Sequence, residues 1–554
     1  MLDFDVTRVA QLCQGAIEGR GTDARILRVV IDSRDVREGD LFVALPGTRT
    51  HGHAHVPDAL RRGAVAAIVE PGAPPLPDDL QHRVLVRVKF PRKALADLAR
   101  AHRRTLTCPV IGVTGSNGKS STRELIAAAL SSLGEVVQSP RSFNNDLGVP
   151  LTVLSAGPDT QALIVEMGTS TRGEIKSLCG IARPDMGVVT NVAAAHLEGL
   201  GTLEGVAAEK AALAEALPEE GLLVLNGEDE HVVKMAERTR ARVVTFGLSE
   251  GRTTVWGCRL ERTPRGVAIW VYGKMRIFLP VVGAHNARNA MGAVAIALAL
   301  GVAPREIRKG LRKARLPEMR LELRRMRGVP VLLDCYNANP ESLRVAVDEL
   351  QVRGSERRTV LVFGDMRELG PRSDALHRAC GRSVSPRVDV LWCVGGEARA
   401  TYEAAVEAGH DPERVFWSPD VAAALRAPPV TLGKDDLVLF KASRGMALER
   451  LAAGLLGKRR RVSETAPGAR AAPGVRAAAS SEATPPAAAP AAASDSRSSA
   501  AGAGVTGKSA REVAPSSGSA TSPTKTLDTA ASRDSAGPVK AEAPADGSTK
   551  QRVS

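Results

Sequence analysis

Residues 110–130 read V-I-G-V-T-G-S-N-G-K-S-S-T-R-E-L-I-A-A-A-L. An apolar run ends in a Gly-Ser-Asn-Gly turn, which is followed at once by a lysine, two serines and an Ala/Leu-rich segment with helical spacing. That order predicts a strand, a tight turn and a helix. Glycines allow successive backbone N–H groups to point into one concavity, and the helix adds the positive end of its dipole. The stretch therefore predicts a phosphate-binding loop.

The side chains of this loop suit ATP and a magnesium ion. We expect Lys119 to reach the β and γ phosphates and the Ser120 hydroxyl to bind the magnesium. The spacing is the short form G-x-x-G-K-[ST], because the first glycine of the long P-loop pattern would fall on Val113. Alone, the short form also fits an ordinary turn that opens a helix, but its position after a strand favours phosphate. The predicted loop residues are Thr114, Gly115, Ser116, Asn117, Gly118, Lys119, Ser120 and Ser121.

The composition limits the class of protein. A chain of 554 residues is too long for one core, and 44% hydrophobic but only 3% aromatic residues suit parallel sheets covered by helices. No apolar run approaches the roughly 20 residues of a membrane span, and the N-terminus does not resemble a signal peptide. The seven cysteines are scattered and never form C-x-x-C, which favours reduced thiols over disulfides or zinc. We therefore expect a cytoplasmic protein without stable membrane insertion.

The net charge of +14 does not require a nucleic-acid partner. The segment 458–554 has 14 basic and 8 acidic residues, so the remainder carries about +8, which binding of phosphorylated nucleotides explains without DNA or RNA. The same segment consists largely of Ala, Ser, Pro, Gly and Thr and has no Phe, Trp or Tyr. It is predicted to be disordered, because it cannot bury enough apolar surface to offset its ordering entropy. Its partner stays open.

The pattern of strands and helices predicts an α/β protein with three domains. Residues 1–85 form a small α/β unit, and 86–316 alternate strands and helices as in a doubly wound parallel sheet. Residues 317–457 form a second, Rossmann-like α/β unit, which is followed by the 458–554 tail. Polar clusters follow the strands of both larger units, so a ligand cleft is expected between them.

Several polar residues at strand ends are candidates, each with an ordinary alternative. Glu166 ends a buried strand, where such sheets bind ligands, and is a magnesium candidate. His196 follows another strand beside Glu198 and could be a metal ligand or a buried structural histidine. Lys210 lies on an amphipathic helix and could be only a solvated lysine.

The amide and arginine candidates are similarly ambiguous. Asn286 and Asn289 precede an alanine-rich helix and could contact an adenine edge or cap the helix. Ser33 and Arg34 follow a strand and could hold a diphosphate through the planar guanidinium, although on the residues alone a solvated turn is favoured. Arg320 lies at the hinge into the third unit.

Taken together, these clusters resemble the Mur ligase family, the ATP-dependent amide-forming ligases of cell-wall precursor synthesis. The resemblance covers about residues 1–457, in order. Its motifs are T-G-S-N-G-K-S, F-N-N-D-L-G-V-P-L-T, E-M-G, T-N-V-A-A-A-H-L-E-G, H-N-A-R-N-A, D-C-Y-N-A-N-P-E-S and G-D-M-R-E-L-G. Within the family the motifs are most similar to those of the ligase that adds D-alanyl-D-alanine to UDP-N-acetylmuramoyl-tripeptide. The resemblance implies those two substrates, ATP and Mg²⁺ as cofactors, and a monomer.

The resemblance also implies roles for single residues. Lys210 matches a lysine that some members carry as a carbamate. The implied catalytic residues are Lys119, Glu166, His196, Lys210 and Arg320. The implied metal-binding residues are Ser120, Glu166, His196 and Lys210. Further nucleotide contacts are implied for Asn286, Asn289, Arg320, Asp334 and Tyr336. The implied substrate side comprises Ser33 and Arg34 for the UDP-sugar, and Asn144, Asn145, Asn337, Asn339, Asp365, Ser443 and Arg444.

Three loops depart from the family pattern. The chain has His51-Gly52-His53 where the family has Asp-Gly-His, and residues 169–172 read T-S-T-R in place of Ala-Asn-His-Pro. Residues 441–444 read K-A-S-R in place of Lys-Gly-Ser-Arg. These loops face substrates, so the departures concern fine specificity.

Other functions remain as alternatives. A sister ligase that adds a diamino acid to the UDP-dipeptide would carry a D-N-P-R signature, which this sequence lacks. A folylpolyglutamate-type ligase would lack the first domain with Ser33 and Arg34. An inactive nucleotide-binding scaffold would have lost Lys119, Glu166 or Asp334, and all are present. The sequence leaves open whether the third residue of the tripeptide is diaminopimelate or lysine.

Overall fold

The structure is a computed structural model that describes Leu2, residues 4–47 and residues 50–457. The segment 458–554, predicted to be disordered, lies outside the described residues. In the described part of the chain, three β-sheets follow one another along the sequence, each packed against helices. Among the described residues, we find no helix whose length and apolarity would let it cross a bilayer.

The strands of the described residues are β1 (Ala16–Glu18), β2 (Arg28–Val30), β3 (Asp40–Val43), β4 (Ala66–Val69), β5 (Val84–Arg87), β6 (Val110–Thr114), β7 (Glu135–Gln138), β8 (Thr160–Glu166), β9 (Met186–Val189), β10 (Leu222–Asn226), β11 (Arg242–Gly247), β12 (Val255–Thr263), β13 (Gly266–Val271), β14 (Met275–Leu279), β15 (Glu322–Met326), β16 (Val329–Asp334), β17 (Arg358–Gly364), β18 (Val390–Val394), β19 (Val415–Ser418) and β20 (Asp436–Lys441).

The α-helices of the same residues are α1 (Val6–Cys13), α2 (Val56–Arg61), α3 (Pro91–Arg103), α4 (Lys119–Leu130), α5 (Gly148–Leu154), α6 (Glu174–Ala182), α7 (Leu197–Leu200), α8 (Leu203–Glu215), α9 (Glu230–Val233), α10 (Ala284–Ala299), α11 (Pro304–Leu311), α12 (Pro340–Arg353), α13 (Ser373–Val384), α14 (Ala398–Glu407), α15 (Val421–Arg426) and α16 (Glu449–Leu456). Short 3₁₀ helices lie at Ser33–Asp35, Gly52–His55, Asp78–Leu80, Lys234–Arg238, Gly370–Arg372, Ser385–Arg387 and Arg444–Met446.

The first sheet has the strand order β1-β5-β4-β3-β2. The three pairings β2–β3, β3–β4 and β4–β5 are parallel, whereas β1 is antiparallel to β5. Because β5 pairs with β4 as far as Arg87, this sheet continues two residues beyond the boundary predicted at 85/86.

The second sheet has nine strands in the order β14-β13-β12-β11-β10-β9-β6-β8-β7. It is parallel from β7 to β12, as the alternating pattern predicts, and its central strands are continuous buried apolar runs. The edge differs from the prediction, because β12, β13 and β14 form antiparallel hairpins. Tyr272 and Gly273 both have positive φ angles (52° and 68°), which suit the twist of a tight hairpin turn.

The third sheet has the order β15-β16-β20-β17-β18-β19. Only β15 runs antiparallel to its neighbour in the described sheet, and the remaining pairs are parallel. Helices α12 and α13 pack on the face built from residues such as Leu332, Leu361 and Leu439.

The strand order of the second sheet places the ligand crevice. The chain runs from β6 out to β7, returns to β8 and then crosses to β9 on the other side of β6. The order therefore reverses between β6 and β9, and parallel α/β sheets bind ligands at the carboxyl ends of strands at such a point. The loops 115–118 and 190–196 meet there.

Candidate active site

The predicted phosphate loop connects β6 to α4. Gly115 and Gly118 have φ angles of 143° and 82°, which L side chains rarely adopt. A Cβ on Gly115 would lie 1.8 Å from Thr190 Oγ1, and one on Gly118 would lie 2.9 Å from Asn289 Nδ2. Both positions therefore require glycine, and the loop presents its backbone at the start of a 12-residue helix.

The segment after β9 holds this loop in place. Asn191 Oδ1 accepts a hydrogen bond from Asn117 N at 2.8 Å, and Ser116 Oγ donates to Ala193 O at 3.0 Å. Thr190 Oγ1 donates to Asn117 O. The loop is thus preorganised rather than left to a ligand to order.

Lys119 lies partly buried at the start of α4. Its Nζ donates to Gly115 O at 2.7 Å, so the ammonium folds over the loop. Burial lowers the pKa of Lys119 to about 8, with the charge of Glu166 opposing the shift and that of Arg320 adding to it. The amine lies where phosphate oxygens of a nucleotide would replace the loop carbonyl as acceptor.

Glu166 gathers three donors at the end of β8. Its Oε1 accepts from Ser120 Oγ at 3.0 Å and from Asn144 Nδ2 at 2.9 Å. Its Oε2 accepts from Arg123 Nη1 at 3.3 Å, and Arg123 and Glu166 are each only 1% exposed. Arg123 was not predicted as a site residue, although its position four residues after Lys119 on α4 indicates that the two side chains lie on one face of the helix.

The oxygens of Ser120 and Glu166 fit a magnesium ion. A hydroxyl and a carboxylate lie side by side next to the phosphate loop, and Mg²⁺ prefers oxygen ligands of these types together with substrate phosphates. The donor set is therefore chemically appropriate for that cation.

Arg320 reaches from the hinge into the domain of the second sheet (predicted as residues 86–316), called the middle domain below. Its Nη2 donates to Ser120 Oγ at 3.0 Å, and its guanidinium carbon lies 4.1 Å from the centre of the Tyr336 ring. The Tyr336 hydroxyl makes a hydrogen bond to Ser142. These contacts fix Arg320 beside the Ser120 hydroxyl, which in turn donates to Glu166.

Asp334 and Lys441 form a buried ion pair under the cavity. They are register partners at the ends of β16 and β20, and Lys441 Nζ donates to Asp334 Oδ2 at 2.6 Å and to Asn337 O at 3.0 Å. Asp334 Oδ1 accepts from Leu321 N at 3.2 Å. Lys441 is the first residue of the K-A-S-R motif but was not predicted as a site residue. Its position at the carboxyl end of a parallel strand indicates a place where such sheets bind ligands.

Two further contacts join the middle and third domains. Asn117 and Asn339 exchange hydrogen bonds between their side-chain amides, at 2.8 and 3.3 Å. His196 Nδ1 pairs with Glu368, rather than with the neighbouring Glu198 considered from the sequence. Asn339 also caps α12, so its side chain contacts both the phosphate loop and that helix.

These contacts enclose a cavity of about 270 Å³ between the two domains. Thirteen predicted site residues line it: Ser116, Asn117, Gly118, Lys119, Ser121, Asn144, Glu166, His196, Asn289, Arg320, Asp334, Tyr336 and Asn337. The lining also includes residues that were not predicted: Thr190, Asn191, Asn226, His285, Arg288, Leu321, Glu341, Ser342, Val345 and Lys441.

Other predicted nucleotide residues lie behind the lining. Ser120 contacts Glu166 and Arg320, while Thr114 Oγ1 donates to Met167 O at 3.0 Å. Asn286 is buried within the first turn of α10 and donates to Val282 O at 2.7 Å. Asn286 and Asn289 belong to α10 itself, because that helix begins at Ala284 and not after them as predicted.

The remaining substrate candidates do not line this cavity. In the first domain, Ser33 is buried and Arg34 is exposed and forked onto Asp32, which holds the pKa of that carboxyl at about 2. The others are engaged locally: Asn145 caps the turn into α5, Asp365 accepts from Ala398 N, Ser443 accepts from Arg367 N, and Arg444 donates to Glu449.

Lys210 is not a solvated helix lysine. It is 1% exposed on α8, and burial together with the charge of Lys119 holds the pKa of its amine well below the ordinary value, despite the opposing charge of Glu209.

The burial of His285 in the cavity lining can be tested through the pH dependence of protein stability. Burial lowers its pKa to about 4, Arg288 and Lys441 add to the shift, and Asp334 opposes it. Between pH 6.5 and 4 the unfolded chain therefore binds a proton that the folded chain does not. The free energy of unfolding consequently decreases as the pH is lowered through that interval. Between pH 7 and pH 4.5 we expect the free energy of unfolding of His285→Gln to fall by about 2–3 kcal/mol less than that of the wild type.

The comparison is made by urea unfolding at the two pH values. His82→Gln, at an exposed histidine of the first domain, should keep the wild-type response to acid. An equal loss of stability in wild type and His285→Gln would show that His285 is not buried neutral.

Three family models match the chain. The model described as Mur ligase family, catalytic domain, matches residues 25–103; the Mur ligase middle domain matches 113–297; and the Mur ligase, glutamate ligase domain, matches 319–444. The three ranges fall on the first, second and third sheets, respectively, although β1 lies before the first range.

Individual relatives match this chain over nearly the whole of their own length. The UDP-N-acetylmuramoyl-tripeptide–D-alanyl-D-alanine ligase of Bacillus subtilis is 33% identical over 460 residues, which cover 82% of this chain and 99% of the relative. The crystal structure of MurF from Acinetobacter baumannii aligns with a TM-score of 0.72 at 30% identity, over 82% of this chain and 99% of that one. The MurF ligase of Thermotoga maritima in complex with ADP aligns with a TM-score of 0.67 at 28% identity, over 78% and 97%.

Proposed function

The chain belongs to the Mur ligase family, and on that premise we propose that it joins D-alanyl-D-alanine to UDP-N-acetylmuramoyl-tripeptide with ATP. The product is the UDP-linked pentapeptide used in peptidoglycan synthesis. The observation that carries the proposal is that relatives with this activity align with the chain over nearly their whole length. The convergence of phosphate-loop and hinge residues on one cavity supports it. We place the reaction in the cytoplasm, with the protein as a monomer.

ATP is proposed to bind in the cavity between the middle and third domains. The backbone of residues 115–118 and the N-terminus of α4 would hold the phosphates, with Lys119 on their terminal oxygens. Asn289 and Asn286 on α10 are proposed to face the base. The ADP complex of the Thermotoga maritima relative supports nucleotide use by this fold.

Ser120 and Glu166 are proposed to hold Mg²⁺, with His196 and Lys210 contributing from the loop after β9 and from α8. The ion would neutralise charge on the transferred phosphoryl group. Arg320, which already donates to Ser120 Oγ, would add a second positive charge at the same place.

The reaction proposed for this site proceeds through an acyl phosphate. The terminal carboxylate of the tripeptide attacks the γ phosphorus, the bond to ADP breaks, and a carboxyl–phosphate bond forms. The amine of the dipeptide then attacks the acyl carbon, gives up a proton, and phosphate leaves from the tetrahedral intermediate. Lys119 and Arg320 stabilise the charge in the first step, and the closed contacts Asn117–Asn339 and His196–Glu368 exclude water from the acyl phosphate.

The other substrates are assigned by position. Ser33 and Arg34 are proposed to bind the UDP diphosphate, for which Arg34 would exchange Asp32 for phosphate oxygens. The dipeptide is proposed to approach along Asn337, Asp365, Ser443 and Arg444 in the third domain, with Asn144 and Asn145 on the opposite side.

The proposed function predicts strict dependence on four components. Phosphate release should require ATP, Mg²⁺, UDP-tripeptide and D-alanyl-D-alanine together, because each has its own set of residues. Omission of any one should reduce the rate to background, measured with a coupled phosphate assay. ATP hydrolysis at the full rate without the dipeptide would contradict the proposed ligation.

Lys210 is proposed to act as a carbamate. Its neutral amine would attack carbon dioxide, forming an N–C bond and releasing one proton, and the resulting carboxylate could orient ligands of the metal. An unmodified ammonium close to a divalent cation would instead be repelled by it.

We expect Lys210→Ala to lose about 10- to 100-fold in kcat, the range typical of groups that orient metal ligands, and to recover part of it with added acetate. Acetate should not accelerate the wild-type enzyme. Near-normal turnover of Lys210→Ala without acetate would return Lys210 to a purely structural role.

A further inference from the structure

Three of the ten histidines lie within five residues, in the sequence His51-Gly52-His53-Ala54-His55. This segment follows β3 and forms a 3₁₀ helix over Gly52–His55. It belongs to the first domain and lines no part of the cavity between the middle and third domains.

The backbone of this segment is fixed against the sheet. Gly52 N donates to Leu45 O at 2.9 Å, and Pro46 and His51 form an isolated β-bridge. A Cβ on Gly52 would lie 2.5 Å from Leu45 N, so only glycine permits this approach. The two flanking histidines are therefore carried on a defined backbone.

Glu70 joins them from the neighbouring strand. It follows β4, which is parallel to β3, so the carboxyl ends of both strands deliver side chains to the same edge. His51 Nε2 lies 3.6 Å from a Glu70 carboxylate oxygen, and the rings of His51 and His53 have centroids 3.9 Å apart. One ligand atom from each of the three residues lies within 4.8 Å of the other two.

We propose that His51, His53 and Glu70 form a binding site for a zinc-class divalent cation. Two imidazoles and one carboxylate are the donor set of Zn²⁺, Co²⁺ or Ni²⁺, whereas Mg²⁺ and Ca²⁺ prefer oxygen ligands alone. Three protein ligands leave a coordination position for water or a substrate group. Rotation of the half-exposed His51 and Glu70 side chains brings the ligand atoms to coordination distance.

Binding exchanges existing hydrogen bonds and releases one proton. His53 Nε2 accepts from Glu70 N at 3.2 Å, so this nitrogen is unprotonated, and its lone pair can bind a cation once that hydrogen bond is given up. His51 Nδ1 accepts from His53 N at 3.3 Å, so Nε2 carries the hydrogen that faces Glu70, and a cation at Nε2 replaces it. The site lies at the same sheet edge as Ser33, which follows β2 beside β3.

The experiment measures binding of Zn²⁺ to the full chain by calorimetry, and of Co²⁺ by its visible absorption, with ADP and excess Mg²⁺ present to saturate the catalytic site. Wild type should bind one cation per chain with a Co²⁺ spectrum typical of nitrogen ligands. His51→Asn, which keeps a side chain able to cap the 3₁₀ helix, should weaken affinity about tenfold or more, and so should Glu70→Gln.

His55→Gln is the matched control, because His55 lies in the same segment but contacts Thr50 and not the cluster. It should bind as wild type does. The proposal is overturned if wild type shows no Co²⁺ absorption, or if His51→Asn and Glu70→Gln both retain wild-type affinity. Thermal unfolding without added metal identifies a variant that has failed to fold. If one of His51→Asn and Glu70→Gln fails to fold, the metal affinity of the other tests the proposal.

Discussion

Replacement of Lys119 by alanine should lower kcat for phosphate release about 10³-fold, since removing one preorganised charge at a phosphoryl-transfer site has effects of this order. In the structure the ammonium lies over the phosphate loop within hydrogen-bonding distance of Gly115 O. We expect nucleotide binding to weaken as well, because the ammonium contacts phosphates in the ground state. Steady-state kinetics with saturating substrates separate the two effects.

Lys309→Ala is the matched control for this variant. Lys309 lies on α11 in the same domain, its side chain is 67% exposed, and it takes no part in the cavity. Its kcat should equal that of wild type. Comparable turnover by Lys119→Ala and wild type would remove the phosphate loop from the proposed chemistry.

Asp334→Ala should destabilise the protein by about 3–5 kcal/mol, because it leaves the ammonium of Lys441 buried without its carboxylate. Lys441 has a side-chain exposure of 1%, and its other acceptor is the backbone oxygen of Asn337. The measurement is the free energy of unfolding of the third domain, from urea titration followed by circular dichroism.

The double variant Asp334→Ala/Lys441→Met distinguishes an unpaired charge from a general packing defect. Removing both charges should restore part of the stability lost in Asp334→Ala, since an apolar pair avoids the buried charge. A double variant less stable than Asp334→Ala would show that the ion pair is not the source of the loss.

The three-domain α/β architecture could be predicted because local patterns specify it. Apolar runs that end in polar clusters identify β6, β8, β9 and β16, and this fold class is confirmed by the similarity to solved MurF structures. The hairpins β12–β14 were not predicted although their strands are consecutive along the chain, because strand propensity depends strongly on packing context. Family membership, too, is confirmed.

The contacts between domains could not be predicted from the sequence. Asn117 and Asn339 are 222 residues apart, and nothing local to either shows that their amides pair. The same holds for His196 and Glu368, for which a neighbouring carboxylate was the natural expectation. Arg123 and Lys441 were not predicted as site residues, because helix spacing and a strand end do not reveal the burial that distinguishes them from surface charges. The roles assigned to the individual site residues stay predictions.

The most direct test of the account is acceptor choice by the purified enzyme. Phosphate release and product mass are measured with UDP-N-acetylmuramoyl-tripeptide and D-alanyl-D-alanine, and in parallel with UDP-dipeptide and either diaminopimelate or lysine. We expect ATP-dependent formation of the UDP-pentapeptide in the first reaction and background rates in the others. Robust turnover of the UDP-dipeptide with a diamino acid, without pentapeptide formation, would contradict it and identify the chain as the sister ligase.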